Sequence, residues 1–84
     1  MLGVYSRGMT VVEIEYCVPC GFLNRATDLA EALLSALGQD VESVALVTGD
    51  HGVFRVRVDE ELVFDKETDD YDVEEITRRV RAEL

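Results

Sequence analysis

Thr10-Val11-Val12-Glu13-Ile14-Glu15-Tyr16-Cys17-Val18-Pro19-Cys20-Gly21-Phe22 is the stretch whose reading decides the fold. Its first seven residues alternate, with Val12, Ile14 and Tyr16 on one side and Val11, Glu13 and Glu15 on the other, the pattern of a strand with one covered face. Two cysteines three positions apart follow at once, around a proline. From Phe22 onward the apolar residues change period: Phe22, Ala26, Leu29, Ala30, Leu33 and Leu37 recur at helical spacing, with Asp28 and Glu31 facing away. Gly38 stands where a helix C-cap is expected. A strand therefore hands over to a helix, and the cysteine pair sits at the handover.

Beyond it the chain predicts a second strand over about Ser43–Val47, a loop Thr48-Gly49-Asp50-His51-Gly52, a third strand Val53–Val58, a tight Asp59-Glu60-Glu61 turn and a fourth strand Leu62-Val63-Phe64. A polar stretch from Lys66 to Asp70 leads to a last helix. Asp72 opens it with Glu75 three residues on, an acidic variant of the capping box, and its inner stripe reads Val73, Ile76, Val80 and Leu84. The order is β-α-β-β-β-α. A strand–helix–strand crossover makes the first two strands parallel and the connection right-handed. One face of each strand is apolar (Val12/Ile14/Tyr16, Val44/Leu46, Phe54/Val56/Val58, Leu62/Phe64), while the other is mixed, so both helices are expected on one face of a two-layer α/β fold. Glu13 and Glu15 find partners in Arg55 and Arg57 when the third strand lies antiparallel beside the first. The expected sheet is mixed and four-stranded, in the order 2-1-3-4.

Eighty-four residues make room for one domain, placed here at residues 10–84. Residues 1–9 show no clear period. Met9 reads as the natural start, with the preceding segment an over-extended start or an expression remnant; an extra edge strand is the structural alternative. Eighteen acidic residues against eight basic ones give a net charge of −10. Phosphate backbones and anionic membranes are bound by Lys/Arg, so neither nucleic acid nor membrane is an expected partner. No apolar run reaches the roughly 20 residues of a bilayer span and no leader precedes the domain, so a cytoplasmic chain is expected. Seven of the eight basic residues are arginine, and the acid-heavy, lysine-poor balance points to a salt-rich, halophile-like cytoplasm.

Cys17 and Cys20 are the candidate catalytic residues. At a helix N-terminus, unpaired N–H groups and the macrodipole lower a cysteine pKa from about 8.5 towards neutrality. Spacing of i to i+3 over a first helical turn brings the sulfurs together, and Pro19 suits that turn. The chemistry is thiolate attack, a mixed disulfide, then displacement by the second sulfur. Three alternatives stand beside it. A structural zinc site needs four ligands; the chain offers two thiols and His51, so a closed site requires a second chain or a carboxylate. A purely structural disulfide closes too small a loop to stabilise much. An inert, buried pair is the third. His51, in the loop expected to cross the end of the first strand, is an auxiliary candidate for proton transfer, against a plain solvated loop histidine. Arg25 offers thiolate stabilisation, or simple exposure. Asp69, Asp70 and Asp72 read as a solvated face plus a cap. No cofactor and no metal is expected.

The strand Val12-Glu13-Ile14-Glu15-Tyr16 leading into Cys17-x-x-Cys20-Gly21-Phe22, the Gly52-Val53-Phe54-Arg55-Val56 strand, and Leu62-Val63-Phe64 before an acidic loop and terminal helix together resemble the Rdx family, the small thioredoxin-like proteins that include selenoproteins W, T and H. The resemblance runs from about Val11 to the C-terminus. It implies a thioredoxin-like fold, a redox-active dithiol and exchange with protein thiols or disulfides or with a low-molecular-weight thiol such as glutathione. In the selenoprotein members selenocysteine matches Cys20, which implies the more reactive centre there, whereas helix-terminus geometry favours Cys17. The chain departs from thioredoxins proper in having no proline before the third strand; Gly52-Val53 stands in its place. The leading expectation is a thiol–disulfide oxidoreductase or redox sensor. A redox-gated binding module is the rival. It would use the open sheet face (Val11, Ala45, Val47, Val53, Val63) for a partner or a homodimer contact, and a dimeric metal site is a third option.

Overall fold

The structure, a computed structural model, describes residues 10–84; both expectations for residues 1–9 fall outside the described residues. The elements are β1 (Val11–Cys17), α1 (Leu23–Leu37), β2 (Ser43–Gly49), β3 (Phe54–Val58), β4 (Glu61–Asp65) and α2 (Val73–Ala82). The sheet order is β2-β1-β3-β4. β1 pairs parallel with β2, and β3 pairs antiparallel with both β1 and β4. α1 packs on β1 and β2, α2 packs on β4, and the helices touch each other on one side of the sheet. This is the mixed, two-layer arrangement expected from the alternation.

The core fills the space between the layers. Val12 and Ile14 from β1, Phe54 and Val56 from β3, Phe64 from β4, Leu29 and Leu33 from α1 and Ile76 and Val80 from α2 are all buried. Phe54 lies at its centre, edge-on to Phe22, Phe64 and Tyr71 with ring centroids 5.6–6.3 Å apart, a favoured aromatic geometry. α2 begins as expected: Asp72 Oδ1 accepts the Glu74 and Glu75 backbone N–H groups, satisfying two orphan donors of the first turn.

Four local expectations are corrected. α1 starts at Leu23, with Phe22 as N-cap and no side chain capping it. Gly38 stays in the right-handed region instead of turning left-handed; a Cβ there would meet the Leu34 carbonyl oxygen at 2.5 Å, so close approach demands the glycine. In β4 a bulge facing Val56 and Arg57 of β3 sets Phe64 opposite Val56 but Leu62 opposite Arg57. The extra residue, Val63, is left unpaired and packs on the core, so Leu62 moves to the open face and is exposed, reversing the simple alternation. Leu84, past the end of α2, is exposed and lies outside the inner stripe.

The Glu/Arg column forms in the expected register, with Glu13 opposite Arg57 and Glu15 opposite Arg55. Glu15 gathers the ion pairs, at 3.2 Å from Arg57 and 3.6 Å from Arg55. Asp65, opposite Arg55 in β4, adds a third at 3.3 Å.

Candidate functional site

β1 is flanked on both sides by strands, and its last residue is Cys17. The strand pairing is carried past its end by the β2–β3 connection. Cys17 N–H donates to Val53 O at 2.8 Å, and Val18 N–H donates to Gly49 O at 3.0 Å. The chain then reverses through Val18-Pro19-Cys20-Gly21. Gly21 N–H closes this turn on Val18 O (3.1 Å), and Phe22 N–H reaches back to Cys17 O (3.4 Å). Pro19 occupies the second position of the turn, where its fixed φ fits, and Gly21 leaves it at φ 78°, a left-handed conformation that favours glycine.

Cys17 and Cys20 are joined as a disulfide, S–S 2.03 Å with Cα atoms 5.3 Å apart. The turn brings them together, not a helical turn: two residues separate Cys20 from the first residue of α1. Pro19 is accordingly a turn residue and not a helix-opening one. Their surroundings differ sharply. Cys17 is 0% exposed, whereas Cys20 lies on the exposed turn. The expectation that Cys17 stands exposed at a helix start is therefore overturned: it ends a strand and is covered, and Cys20 is the exposed cysteine of the two.

The loop from Gly49 to Val53 does pass the end of β1, as its hydrogen bonds show, but the His51 ring stands in solvent. At φ 60° its side chain is 90% exposed, and Nδ1 is held by Asp50 Oδ1. It lines a polar groove of about 280 Å³ on the open sheet face, beside Glu15, Arg55, Asp65 and Glu67. No group of three or more His, Cys, Asp or Glu side chains disposed for a metal ion occurs among the described residues. In that groove the Glu67 backbone N–H donates to Asp65 Oδ1 at 3.0 Å, and this bond, with the Arg55 guanidinium, holds the Asp65 carboxyl below the ordinary carboxylate value against the opposing effect of burial.

Arg25 is engaged with aromatic rings. Its guanidinium lies 5.0 Å from the Phe22 ring and 4.8 Å from the Tyr71 ring, a cation–π contact joining the start of α1 to the segment before α2. Burial pushes the Tyr71 phenol up from its ordinary value, with nearby Arg25 opposing. Periodicity gave no sign of Tyr71 or Asp65. Asp65 was nonetheless detectable, since it follows the core residue Phe64 and must share the arginine face.

The fold and the cysteine pair define the class: a small thioredoxin-like chain carrying Cys-x-x-Cys between the first strand and first helix. The Rdx family model matches residues 11–82, and the chain belongs to that family. Among solved structures it is similar to a Bordetella parapertussis protein, at 36% identity and TM-score 0.86, covering 90% of this chain and 99% of that one. It is also similar to a selenoprotein W-related protein from Vibrio cholerae, at 25% identity and TM-score 0.81, covering 88% and 95%. No curated protein matches it. Family and fold support a redox role for the Cys17–Cys20 pair. Among the described residues no helix is long and apolar enough to cross a membrane.

Proposed function

We propose that the protein is a thiol–disulfide oxidoreductase of the cytoplasm in which Cys20 meets the substrate and Cys17 resolves the intermediate. The observation that carries this is the asymmetry of the pair, one sulfur buried and the other on an exposed turn. In the reduced protein the Cys20 thiolate attacks a substrate disulfide, forming a Cys20–substrate bond and expelling one substrate thiolate, which takes up a proton. Cys17, deprotonated in turn, attacks Cys20 Sγ, expels the second substrate thiol and leaves the Cys17–Cys20 disulfide. Two electrons pass from protein to substrate. A small thiol reverses the sequence by attacking Cys20, the reachable sulfur, with Cys17 as leaving group. In a reducing compartment such a pair cycles instead of serving as a permanent cross-link. His51 is left out of the proton path, because its ring is turned to Asp50.

Glutathione disulfide is the test. Cys17→Ser should accumulate one glutathione adduct at Cys20, read by intact mass, because no resolving thiol remains. Cys20→Ser should capture far less. Equal capture by both variants would overturn the assignment of roles, and no exchange by the native dithiol would overturn the function.

A further inference from the structure

The two edges of the sheet are built differently. β4 is interrupted by the bulge at Val63 and begins and ends on carboxylates, Glu61 and Asp65. Such features discourage strand addition. β2, the outer strand on the other side among the described residues, is Ser43-Val44-Ala45-Leu46-Val47-Thr48-Gly49, seven residues with no charge, no proline and no bulge. Leu46 and Val47 are exposed on it, and so are Leu34 on α1 and Val18 on the dithiol turn.

Charge decides what this edge fits. Between Ala26 and Phe54 the chain carries Asp28, Glu31, Asp40, Glu42 and Asp50 and no lysine or arginine. Arg55, Arg57 and Arg79 are committed to ion pairs with Glu15, Asp65, Asp69 and Glu75, and Arg25 to the Phe22–Tyr71 stack. The β2 edge is thus an uncharged ribbon bordered by carboxylates. A second copy would bring the same carboxylates and a further −10 of net charge against it, which repels. An extended segment with apolar residues in its middle and Lys or Arg at its ends complements it, pairing by main-chain hydrogen bonds as an added strand. The far end of β2 touches the dithiol turn through the Val18–Gly49 bond.

From this juxtaposition we infer that the β2 edge docks a basic, extended polypeptide segment and delivers its cysteine to Cys20. This rests on the exchange function and names its substrate class: a disulfide carried on a lysine- or arginine-flanked strand. The overall step takes the reduced protein and a peptide disulfide to the oxidised protein and two peptide thiols.

The test uses the reduced full-length chain and two synthetic peptides of alternating valine and threonine around one cysteine. One is flanked by lysines and the other by glutamates, each supplied as its symmetric disulfide, with 2-hydroxyethyl disulfide as a small uncharged reference. The lysine peptide should be reduced about tenfold faster than the glutamate peptide, the low end of electrostatic steering, and added salt should erase the difference. Val47→Lys should lower the ratio of lysine-peptide to reference rate about tenfold, because an edge lysine blocks strand addition and repels the peptide. Equal rates for the two peptides, or an unaltered ratio in the variant, would overturn docking at this edge. A serine version of the lysine peptide, which cannot react, should slow hydrogen exchange of the outward-facing β2 amides, those not bonded to β1, in the oxidised protein. If those amides are already protected without peptide, by residues 1–9 or by a second copy seen in sedimentation, the inference fails. If even the reference disulfide is not reduced, the exchange function fails, while the serine peptide still decides the docking.

Discussion

Reducing the Cys17–Cys20 bond should destabilise the folded protein by about 2 kcal/mol. The two cysteines lie three positions apart and close a loop of four residues, 17 to 20. Small as that loop is, and against the expectation that closing it would stabilise little, in the chain-entropy model such a cross-link removes about 6 cal/mol/K from the unfolded state, close to 1.9 kcal/mol at about 25 °C. Spread over the unfolding entropy of 84 residues, at about 2.1 cal/mol/K each, this lowers the melting temperature by about 11 °C. By the same cycle the native dithiol should be more reducing than the pair in the unfolded chain by about 40 mV. Thermal unfolding of the protein with and without reductant reads the first number, and thiol–disulfide equilibration in buffer and in urea reads the second. The single variants separate the sulfurs. Cys20→Ser should match the reduced protein, since its hydroxyl stands in water. Cys17→Ser should lose a further 1–3 kcal/mol or so, because it places a hydroxyl where the structure is fully covered. Oxidised and reduced forms that melt together, or a Cys20→Ser variant less stable than Cys17→Ser, would refute this account of the pair.

Three further outcomes follow from the scaffold. Asp59 and Glu60, both at positive φ (49° and 76°), turn β3 into β4 without a glycine, so Glu60→Gly should raise stability by about 1 kcal/mol in urea unfolding. Asp65 has its pKa lowered on folding, so its contribution is present above the ordinary carboxylate range and is lost as pH falls through the lowered folded value; Asp65→Asn should be less stable at pH 7 and show a flatter loss of stability in acid. Phe54→Ala, which empties the position edge-on to three other rings, should cost about 3–5 kcal/mol by chemical denaturation.

The adjacency of β1 and β3 was legible because two glutamates and two arginines alternate on them, and laying the strands antiparallel side by side pairs them. The cap at Asp72 was legible because a first turn needs acceptors for its N–H groups. What escaped the sequence has common physical causes. The bulge at Val63 interrupts the period of two on which strand reading depends, so Leu62 was assigned to the wrong face. The Arg25–Tyr71 stack joins residues 46 positions apart, and no local pattern announces it. At the site, the cysteine pair was evident and its polarity was not. Whether Cys17 belongs to a helix start or a strand end turns on the left-handed step at Gly21 and on two backbone hydrogen bonds from the Gly49–Val53 loop, and these are tertiary facts.

Because Cys17 ends a strand held on both flanks, while Cys20 rides on a four-residue reversal, the two halves of the bond have very different freedom to move. Opening it asks one side only to swing, like a door leaf on a fixed jamb. Reduction should therefore leave the sheet's geometry intact and confine rearrangement to Val18–Gly21, so that chemistry at sulfur is mechanically insulated from the rest of the molecule.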